Sequence, residues 1–310
     1  MTISKKNILI IGGHGFIGSN LIDLLILGGL YNIFVFDKVG KQNNSAEYHH
    51  IAGDYNNLGD LESFFSSNSV EIVVHLASTT VPSTPNGKDM LSDIETNLIG
   101  TIQLLNLMVK YKVRNILFTS SGGTVYGSED HASYSEADWG LPISSHGIVK
   151  QTIERYLFLY NYHFGINYLI LRISNPYGEN HKSLTHGFIN VSLRKIINNE
   201  TVIVYGDGSV VRDYIYINDL VRIMVKLINI GFDNQIINIG SGLGYSINDI
   251  LKVIACLVGD FSVNYVASNN FDVPRVVLNN MKLLSIIDFK LTPIDKGILQ
   301  TYLWQMKYKL

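Results

Sequence analysis

The stretch SSHGIVK carries two side chains, His146 and Lys150, that can take part in proton transfer. Residues at positions i and i+4 share one face of a helix, so a helix here would bring the imidazole and the ammonium group together. Imidazole titrates near ~6.5 when unperturbed and needs no large shift to act as a base at neutral pH. A lysine cation one turn away favours the neutral ring, which accepts a proton more readily than it donates one. The pair therefore predicts a base suited to removing a proton from a hydroxyl group.

A glycine triplet near the start of the chain is suited to binding a phosphorylated ligand. Gly12, Gly15 and Gly18 lie where the apolar strand pattern NILII changes to the helical pattern FIGSNLIDLLIL. Glycines allow a tight turn and close helix packing, while backbone amides and the positive end of the helix face a pyrophosphate. The spacing predicts a dinucleotide-binding turn.

Asp37 and Lys38 bear on which dinucleotide binds. Asp37 ends the strand IFVFD, about 20 residues after the glycine turn, where a carboxylate can accept hydrogen bonds from ribose hydroxyls. The same carboxylate would repel the 2′-phosphate of NADP, so we expect NAD. The adjacent Lys38 would attract that phosphate and keeps NADP as the alternative.

An alternation of strands and helices must position these residues. Buried-strand runs occur in NILII, IFVFD, EIVVHLAS, NILFTSSG and NYLILRIS, and the segments between them can form crossover helices. This alternation predicts an α/β fold with a parallel, doubly wound Rossmann sheet. After SNPYG the pattern changes to helices and short strands.

The composition excludes several classes of protein. The chain has 310 residues, a net charge of −2, 16% charged residues and 46% hydrophobic residues, as expected of a soluble globular protein. It has no general basic field for nucleic acid or an anionic membrane. No apolar run approaches the ~20 residues that a membrane span needs. The N-terminal residues lead directly into the first strand, so we expect no leader and a cytoplasmic protein.

The cysteine and histidine content predicts neither a disulfide nor a metal site. Cys256 is the only cysteine and lies in the apolar run ILKVIACLVG, so we expect an inert core thiol and a reducing compartment. The nine histidines show no metal-ligand spacing, and we expect no metal.

An ordered set of motifs covers nearly the whole chain: GGHGFIGSN, GDYNNLGDL, VVHLAS, TNLIGT, TSSGGTVYG, SNPYG and VYGDGSVVRDYIYINDL. The set resembles the extended short-chain dehydrogenase/reductase family, particularly its nucleotide-sugar branch, which includes UDP-glucose 4-epimerase and related 4,6-dehydratases and 4-reductases. An ordered set is far more specific than any single motif. The resemblance implies NAD as the cofactor and a nucleotide-diphosphate sugar as the substrate.

The resemblance also assigns cofactor contacts. Asp54 and Tyr55 would lie beside the adenine, and Lys150 would bind the nicotinamide ribose. Asn97 would belong to a helix that steadies the active site. The run that follows VVH, residues 76–78, would line the cofactor channel. The full predicted set is Gly12, Gly15, Phe16, Ile17, Gly18, Asp37, Lys38, Asp54, Tyr55, Leu76, Ala77, Ser78, Asn97 and Lys150.

Substrate contacts follow from the later motifs. Asn175 of SNPYG looks like part of the loop that touches cofactor and sugar nucleotide. Arg212 and Arg275 are similar to the two arginines that grip the diphosphate, a task suited to a planar, permanently charged guanidinium. Either arginine could equally be a surface ion-pair partner. The catalytic hydroxyl of TSSGGTVYG is Ser121 or Thr124, because the glycine spacing leaves the register open.

The chain departs from the family at the catalytic position. The family carries a Tyr-x-x-x-Lys pair whose tyrosine takes the proton from a sugar hydroxyl. Here Lys150 is kept in a matching frame, and His146 stands in place of the tyrosine. Three interpretations remain open: His146 replaces the tyrosine; Ser121, Thr124 or the substrate manages the proton; or the protein binds nucleotide without chemistry. Imidazole is shorter than phenol, so the first requires a bridging water or a closer substrate.

The resemblance implies a smaller C-terminal lobe that closes over the nucleotide sugar. We expect the NAD-binding domain at residues 1–175 plus about 213–240, and the substrate lobe at about 176–212 plus 241–310. The stretches IVKQTIERYLFLYNYHFG and TNLIGTIQLLNLMVKYK carry more apolar surface than one buried stripe needs. They either only pack on the sheet or form the helical interface of a homodimer or larger homo-oligomer, as the family commonly shows.

The expected function is NAD-dependent oxidation at C4 of a UDP-, GDP- or dTDP-hexose in the synthesis of surface polysaccharide sugars. The hydride either returns to the opposite face, as in a 4-epimerase, or leaves with the cofactor, as in a 4-dehydrogenase. A 4,6-dehydratase is disfavoured, because SSGGTVYG lacks the acidic pair of that group. The alternatives are a 4-keto-sugar reductase and a catalytically silent nucleotide-binding partner protein.

Overall fold

A large parallel sheet and a smaller second sheet form the framework. The computed structural model describes residues 5–38, 47–78, 90–128, 131–268 and 273–308. The strands are β1 (Lys6–Ile11), β2 (Tyr31–Asp37), β3 (His49–Ala52), β4 (Ile72–His75), β5 (Asn115–Ser121), β6 (Asn167–Ile173), β7 (Asn175–Tyr177), β8 (Val202–Tyr205), β9 (Val211–Tyr216), β10 (Gln235–Ile239), β11 (Gly244–Ser246), β12 (Val263–Val266) and β13 (Arg275–Val276). The helices are α1 (Phe16–Gly28), α2 (Leu58–Ser67), α3 (Met90–Ser92), α4 (Gly100–Lys110), α5 (Ser145–Phe164), α6 (Phe188–Ile197), α7 (Ile217–Ile230), α8 (Ile247–Val258), α9 (Met281–Ile286) and α10 (Ile294–Tyr308), with a π-helical segment, Asp93–Ile99, between α3 and α4.

The large sheet has the topology of a dinucleotide-binding fold. Seven strands pair in the order β10-β6-β5-β4-β1-β2-β3, and every pair is parallel. The strand order reverses between β1 and β4, and ligands of doubly wound sheets bind beyond the carboxyl ends of the strands at such a reversal. The predicted α/β Rossmann fold is confirmed, and the glycine turn that follows β1 lies at the reversal.

The large sheet is buried on both faces, which explains its continuously apolar strands. Side chains alternate along β1, so that Ile8 and Ile10 pack in one hydrophobic cluster while Leu9 and Ile11 pack in another. All four are at most 1% exposed. The two clusters form the layers between the sheet and its flanking helices.

Helix α5 carries the SSHGIVK motif and has well-defined ends. The side chain of Ser144 caps its start by accepting a hydrogen bond from the Gly147 backbone N–H at 3.1 Å. Gly165, with a φ of 67°, ends the helix in the left-handed region. The π-helical segment packs against α5. Such segments are frequent at functional sites, and this one lies beside the helix that carries His146.

The second sheet has the order β11-β9-β13, with β7 also paired to β9. Strand β10 instead joins the large sheet beside β6. The predicted domain boundary near residue 213 falls inside β9, all of which belongs to the small sheet. One hydrophobic cluster contains Ile8 of the large sheet and Ile298 of α10, so the two parts of the fold share a core.

The prediction of a buried Cys256 is wrong, because its side chain is exposed. Helix α8 buries Ile250, Leu251 and Ile254. Cys256 follows Ile254 by two positions, a rotation of about 200° that turns it to the opposite face of the helix. Within the described ranges, no helix is long and apolar enough to span a membrane, and no cluster of three or more His, Cys, Asp or Glu side chains could hold a metal ion.

Candidate active site

The glycine turn after β1 is enclosed by the chain that leaves β4. Gly12 has a φ of 79°, and a Cβ at this position would lie 2.8 Å from the backbone N and Cα of Ala77. A Cβ on Gly18 would lie 2.5 Å from the carbonyl oxygen of Gly13, so α1 reaches the turn only with glycine there. Gly15 precedes α1 without a side-chain cap. The first backbone amides of α1 are thus available to a pyrophosphate, and the turn fits the predicted dinucleotide.

The adenosine end of the predicted cofactor site contains a fixed carboxylate. Asp37 Oδ2 accepts a hydrogen bond from the backbone N–H of His14 at 2.9 Å. Lys38 Nζ lies 2.8 Å from Asp54 Oδ2, so its charge is directed at that carboxylate. The Asp37 carboxylate can therefore accept hydrogen bonds from ribose hydroxyls. Lys38 is paired with Asp54, which leaves little positive charge to attract the 2′-phosphate of NADP.

The other predicted cofactor residues lie at the same edge of the sheet. The Leu76 backbone N–H donates to the Ile11 carbonyl at 3.0 Å, so the chain after β4 runs beside the glycine turn. Leu76 and Ala77 are half-buried, and Ser78 is exposed. Phe16 and Ile17 are also half-buried at the start of α1.

Tyr55 connects this edge to the π-helical segment. Its side chain is buried, and its hydroxyl donates to the Thr96 carbonyl at 2.6 Å and to Asn97 Oδ1 at 3.3 Å. Tyr55 therefore holds the backbone of the π-helical segment, and its place beside adenine stays a prediction.

The structure places His146 and Lys150 together on the first turns of α5, where they are 8% and 5% exposed. Lys150 Nζ donates to the Thr119 carbonyl at 2.9 Å and lies 4.7 Å from the centre of the Phe118 ring. Burial lowers the pKa of Lys150 to about 8, although the carboxylates of Glu154 and Asp93 oppose this shift.

Burial and the charge of Lys150 lower the pKa of His146 to about 4, and Asp93 opposes the shift. The ring is therefore neutral at pH 7, as the sequence predicts. Burial lowers the pKa of His146 more than the charge of Lys150 does. The extent of burial cannot be judged from sequence spacing alone.

The two hydroxyl candidates, Ser121 and Thr124, lie at the end of β5 and in the turn that follows it. Ser121 ends β5, and the backbone N–H of Thr124 donates to its carbonyl at 3.2 Å in the turn that follows. Thr124 Oγ1 is buried and has no hydrogen-bond partner within the described ranges, which is unusual for a buried polar atom. A Cβ on Gly147 would lie 2.6 Å from the Thr124 carbonyl, so the turn is seated against the start of α5.

Three substrate candidates come from the small sheet and its neighbours. Asn175 lies opposite Tyr214 of β9, and Arg212 is two positions from Tyr214, so Asn175 and Arg212 share one face. Arg275 lies opposite Val211, and its side chain therefore starts from the other face. The side chains of Asn175 and Arg212 therefore start from one face of the sheet and that of Arg275 from the other, although Arg212 Nη1 donates to the Val273 carbonyl at 2.7 Å, two residues before Arg275.

Sequence reasoning missed Asp93, which is 3% exposed on the π-helical segment. Its negative charge raises the pKa of both His146 and Lys150 from a different element. Asn97 Nδ2 donates to Asp93 Oδ1 at 3.1 Å. The four-residue spacing between Asp93 and Asn97 could have indicated that these two side chains interact, because residues four apart lie on one face of a helix.

A buried ion pair beneath Lys150 was also missed. Arg172 of β6 donates to Glu154 of α5 through Nε at 3.1 Å and through Nη2 at 2.7 Å. Ser120 Oγ donates to the same carboxylate at 2.5 Å. Glu154 follows Lys150 by four residues, so helical spacing would have placed it on the same face.

Comparisons with known proteins agree with this geometry. Residues 8–240 match the model of the NAD dependent epimerase/dehydratase family. A Methanocaldococcus jannaschii protein, provisionally named a UDP-glucose 4-epimerase, is 34% identical over 258 residues, covering 81% of this chain and 82% of that protein. An Escherichia coli dTDP-4-dehydro-6-deoxyglucose reductase is 31% identical over 313 residues, covering 96% and 97% of the two chains.

Solved structures show the same architecture. The UDP-glucose 4-epimerase of Thermotoga maritima, solved with UDP-glucose, has a TM-score of 0.90 at 29% identity and covers 98% of this chain and 100% of its own. The UDP-glucose 4-epimerase of Thermus thermophilus, solved with NAD, has a TM-score of 0.88 at 26% identity, covering 96% and 98%. With its glycine turn, its strand order and its matched residues, this chain belongs to the NAD-dependent epimerase/dehydratase family of extended short-chain dehydrogenases/reductases, and its cofactor is NAD.

Proposed function

We propose that this protein oxidises C4 of a UDP-, GDP- or dTDP-hexose, with His146 as the base, to give a 4-keto sugar or, after return of the hydride, the 4-epimer. The observation that carries the proposal is the buried imidazole of His146 beside Lys150 at the start of α5. A neutral ring can take a proton from a hydroxyl directly.

The chain's residues divide the remaining tasks. Bound NAD would accept a hydride from the sugar carbon. The glycine turn would hold its pyrophosphate, and Asp37 would accept hydrogen bonds from its adenosine ribose. Lys150 would donate to the nicotinamide ribose, and the unpartnered Thr124 hydroxyl would donate to the sugar oxygen. An imidazole nitrogen of His146 would take the proton from the C4 hydroxyl.

Reduction of a 4-keto sugar is the second candidate, and the match to the Escherichia coli dTDP-4-dehydro-6-deoxyglucose reductase over 96% of this chain favours it. The state of His146 argues against it. With a pKa of about 4, the ring holds almost no proton at pH 7. A reductase would need a different donor, such as Thr124 or water.

A substrate panel separates these functions. Purified protein is incubated with UDP-, GDP- and dTDP-hexoses, while the absorbance of bound NADH and the NMR spectrum of the sugar are recorded. NADH formation with a 4-keto product indicates a dehydrogenase, and a 4-epimer without net NADH indicates an epimerase. Turnover only with dTDP-4-dehydro-6-deoxyglucose and NADH would establish the reductase. No change with any sugar would support a catalytically silent partner protein.

Arg212 is expected to bind the substrate diphosphate, whereas Arg275 contributes little. Replacing Arg212 with alanine removes a planar cation from the face shared with Asn175, and should raise the Kd for UDP or dTDP by about tenfold or more. Arg275→Ala is the matched control, because it removes the same charge from the opposite face. Isothermal titration calorimetry on both variants tests this, and equal losses would contradict the assignment.

The exposed face of α5 fits a homodimer interface. Ile148, Leu159 and Tyr162 are 52%, 43% and 76% exposed and recur at helical spacing. Large exposed apolar patches mark interaction sites. Leu159→Arg should give a monomer by light scattering, while Leu303→Arg on α10, a side chain that is 52% exposed, should leave the assembly intact. A wild-type monomer would refute the dimer.

A cytoplasmic location belongs to the same proposal, since one unpaired, exposed cysteine fits a reducing compartment.

A further inference from the structure

Asp93 is a carboxylate buried in an unusual place. It is 3% exposed, and it lies on the π-helical segment that packs against α5. Taking a carboxylate out of water is costly unless hydrogen bonds and a nearby positive charge compensate for it. Asn97 supplies one hydrogen bond, at 3.1 Å, and Asn97 in turn accepts from the Tyr55 hydroxyl. This network fixes the carboxylate against the helix that bears the proposed base.

The charges around His146 come from two elements. Lys150 acts on it from α5, and Asp93 acts on it from the π-helical segment. The turn at Thr124, which is seated against the start of α5, adds a neutral hydroxyl. When the base takes a proton, the sugar O–H bond breaks, an N–H bond forms on the imidazole, and a positive charge appears in a buried space beside the cationic Lys150. Without a compensating anion, this charge would be strongly disfavoured.

We infer that Asp93 is the positioning residue for His146: its carboxylate, buried on the π-helical segment that packs against α5, balances the imidazolium that forms during proton removal. The inference rests on the proposed role of His146 as the base. It also accounts for how a histidine can operate where the family uses tyrosine. A tyrosine becomes negative when it loses its proton and needs a nearby cation, whereas a histidine becomes positive when it gains one and needs a nearby anion. Asp93 supplies the anion that Lys150 cannot.

The two chemistries give opposite expectations for one substitution. In the wild-type background, Asp93→Asn should slow single-turnover hydride transfer about tenfold, because the base is weakened, with little change in the KM for the nucleotide sugar. In a His146→Tyr background, the same substitution should speed the reaction, because the carboxylate opposes formation of the tyrosinate. A purely structural role for Asp93 would slow both, so a double-mutant cycle measures the difference. Slowing in both backgrounds would overturn the inference.

NMR of the ring distinguishes failure of this inference from failure of the proposed function. The NAD-loaded protein is labelled with ¹⁵N-histidine, and the His146 signal is assigned by its loss in His146→Phe. Asp93→Asn should move the titration of that signal to lower pH, because Asp93 raises the pKa of His146, and Asp93→Glu should restore it in part. An unchanged titration in a folded Asp93→Asn protein would refute the role of Asp93. A shifted titration combined with normal hydride transfer in His146→Phe would instead refute His146 as the base.

Discussion

Single-turnover hydride transfer should slow by about 10² or more when His146 is replaced by phenylalanine, which is the usual scale for loss of a general acid or base. The ring nitrogen is removed, while the apolar volume that fills this buried position is largely kept. Lys150 and the glycine turn are unchanged, so bound NAD should be retained. Stopped-flow absorbance of the NAD-loaded protein, mixed with whichever nucleotide sugar the panel identifies, measures the rate.

Two further variants sharpen this prediction. Thr124→Val removes the unpartnered hydroxyl and tests the alternative in which Thr124 manages the proton. His146→Tyr restores the family's residue, and a gain of epimerase activity would show that the rest of the site remains competent. A wild-type rate in His146→Phe, together with a large loss of rate in Thr124→Val, would show that the Thr124 hydroxyl transfers the proton and the imidazole does not.

The fold and the cofactor turn were predictable because their signals are local. Each strand of the large sheet is a short apolar run. A strand that is buried on both faces needs apolar residues at successive positions, so such runs predict these strands. Gly12 and Gly18 stand where any Cβ would meet the backbone of Ala77 or Gly13. The spacing of these glycines can be seen directly in the sequence, and so can the i, i+4 relation of His146 and Lys150.

The electrostatics of the site were not predictable, because they depend on contacts between distant segments. The charge of Asp93 affects the pKa of His146 because the π-helical segment packs on α5. The packing of the Thr124 turn against Gly147 also joins segments that are distant in the sequence. Strand register, which no motif encodes, starts the side chains of Arg275 and Arg212 from opposite faces of the small sheet. The sequence predicts which groups react, whereas the packing determines their charges.

Unfolding free energy should fall by about 3–5 kcal/mol when Glu154 is replaced by glutamine, because Arg172 is left as a buried charge without a counter-ion. The two side chains are only 2% and 5% exposed, so water cannot compensate for the loss. The substitution should also lower the pKa of Lys150 in the candidate active site, because the charge of Glu154 raises that pKa. A lower pKa would leave part of Lys150 uncharged at pH 7 and weaken NAD binding. Urea unfolding and NAD titration measure the two effects.

The chain contains a matched control for this prediction. Glu62 and Lys110 form an ion pair whose side chains are 39% and 59% exposed, and exposed pairs contribute only about 0–1 kcal/mol. Glu62→Gln should therefore leave the urea midpoint nearly unchanged. Replacing Glu154 and Arg172 together with methionine should recover much of the stability, since no uncompensated charge remains. Equal losses for the buried and the exposed substitutions would mean that the pair between α5 and β6 is not what holds this part of the site.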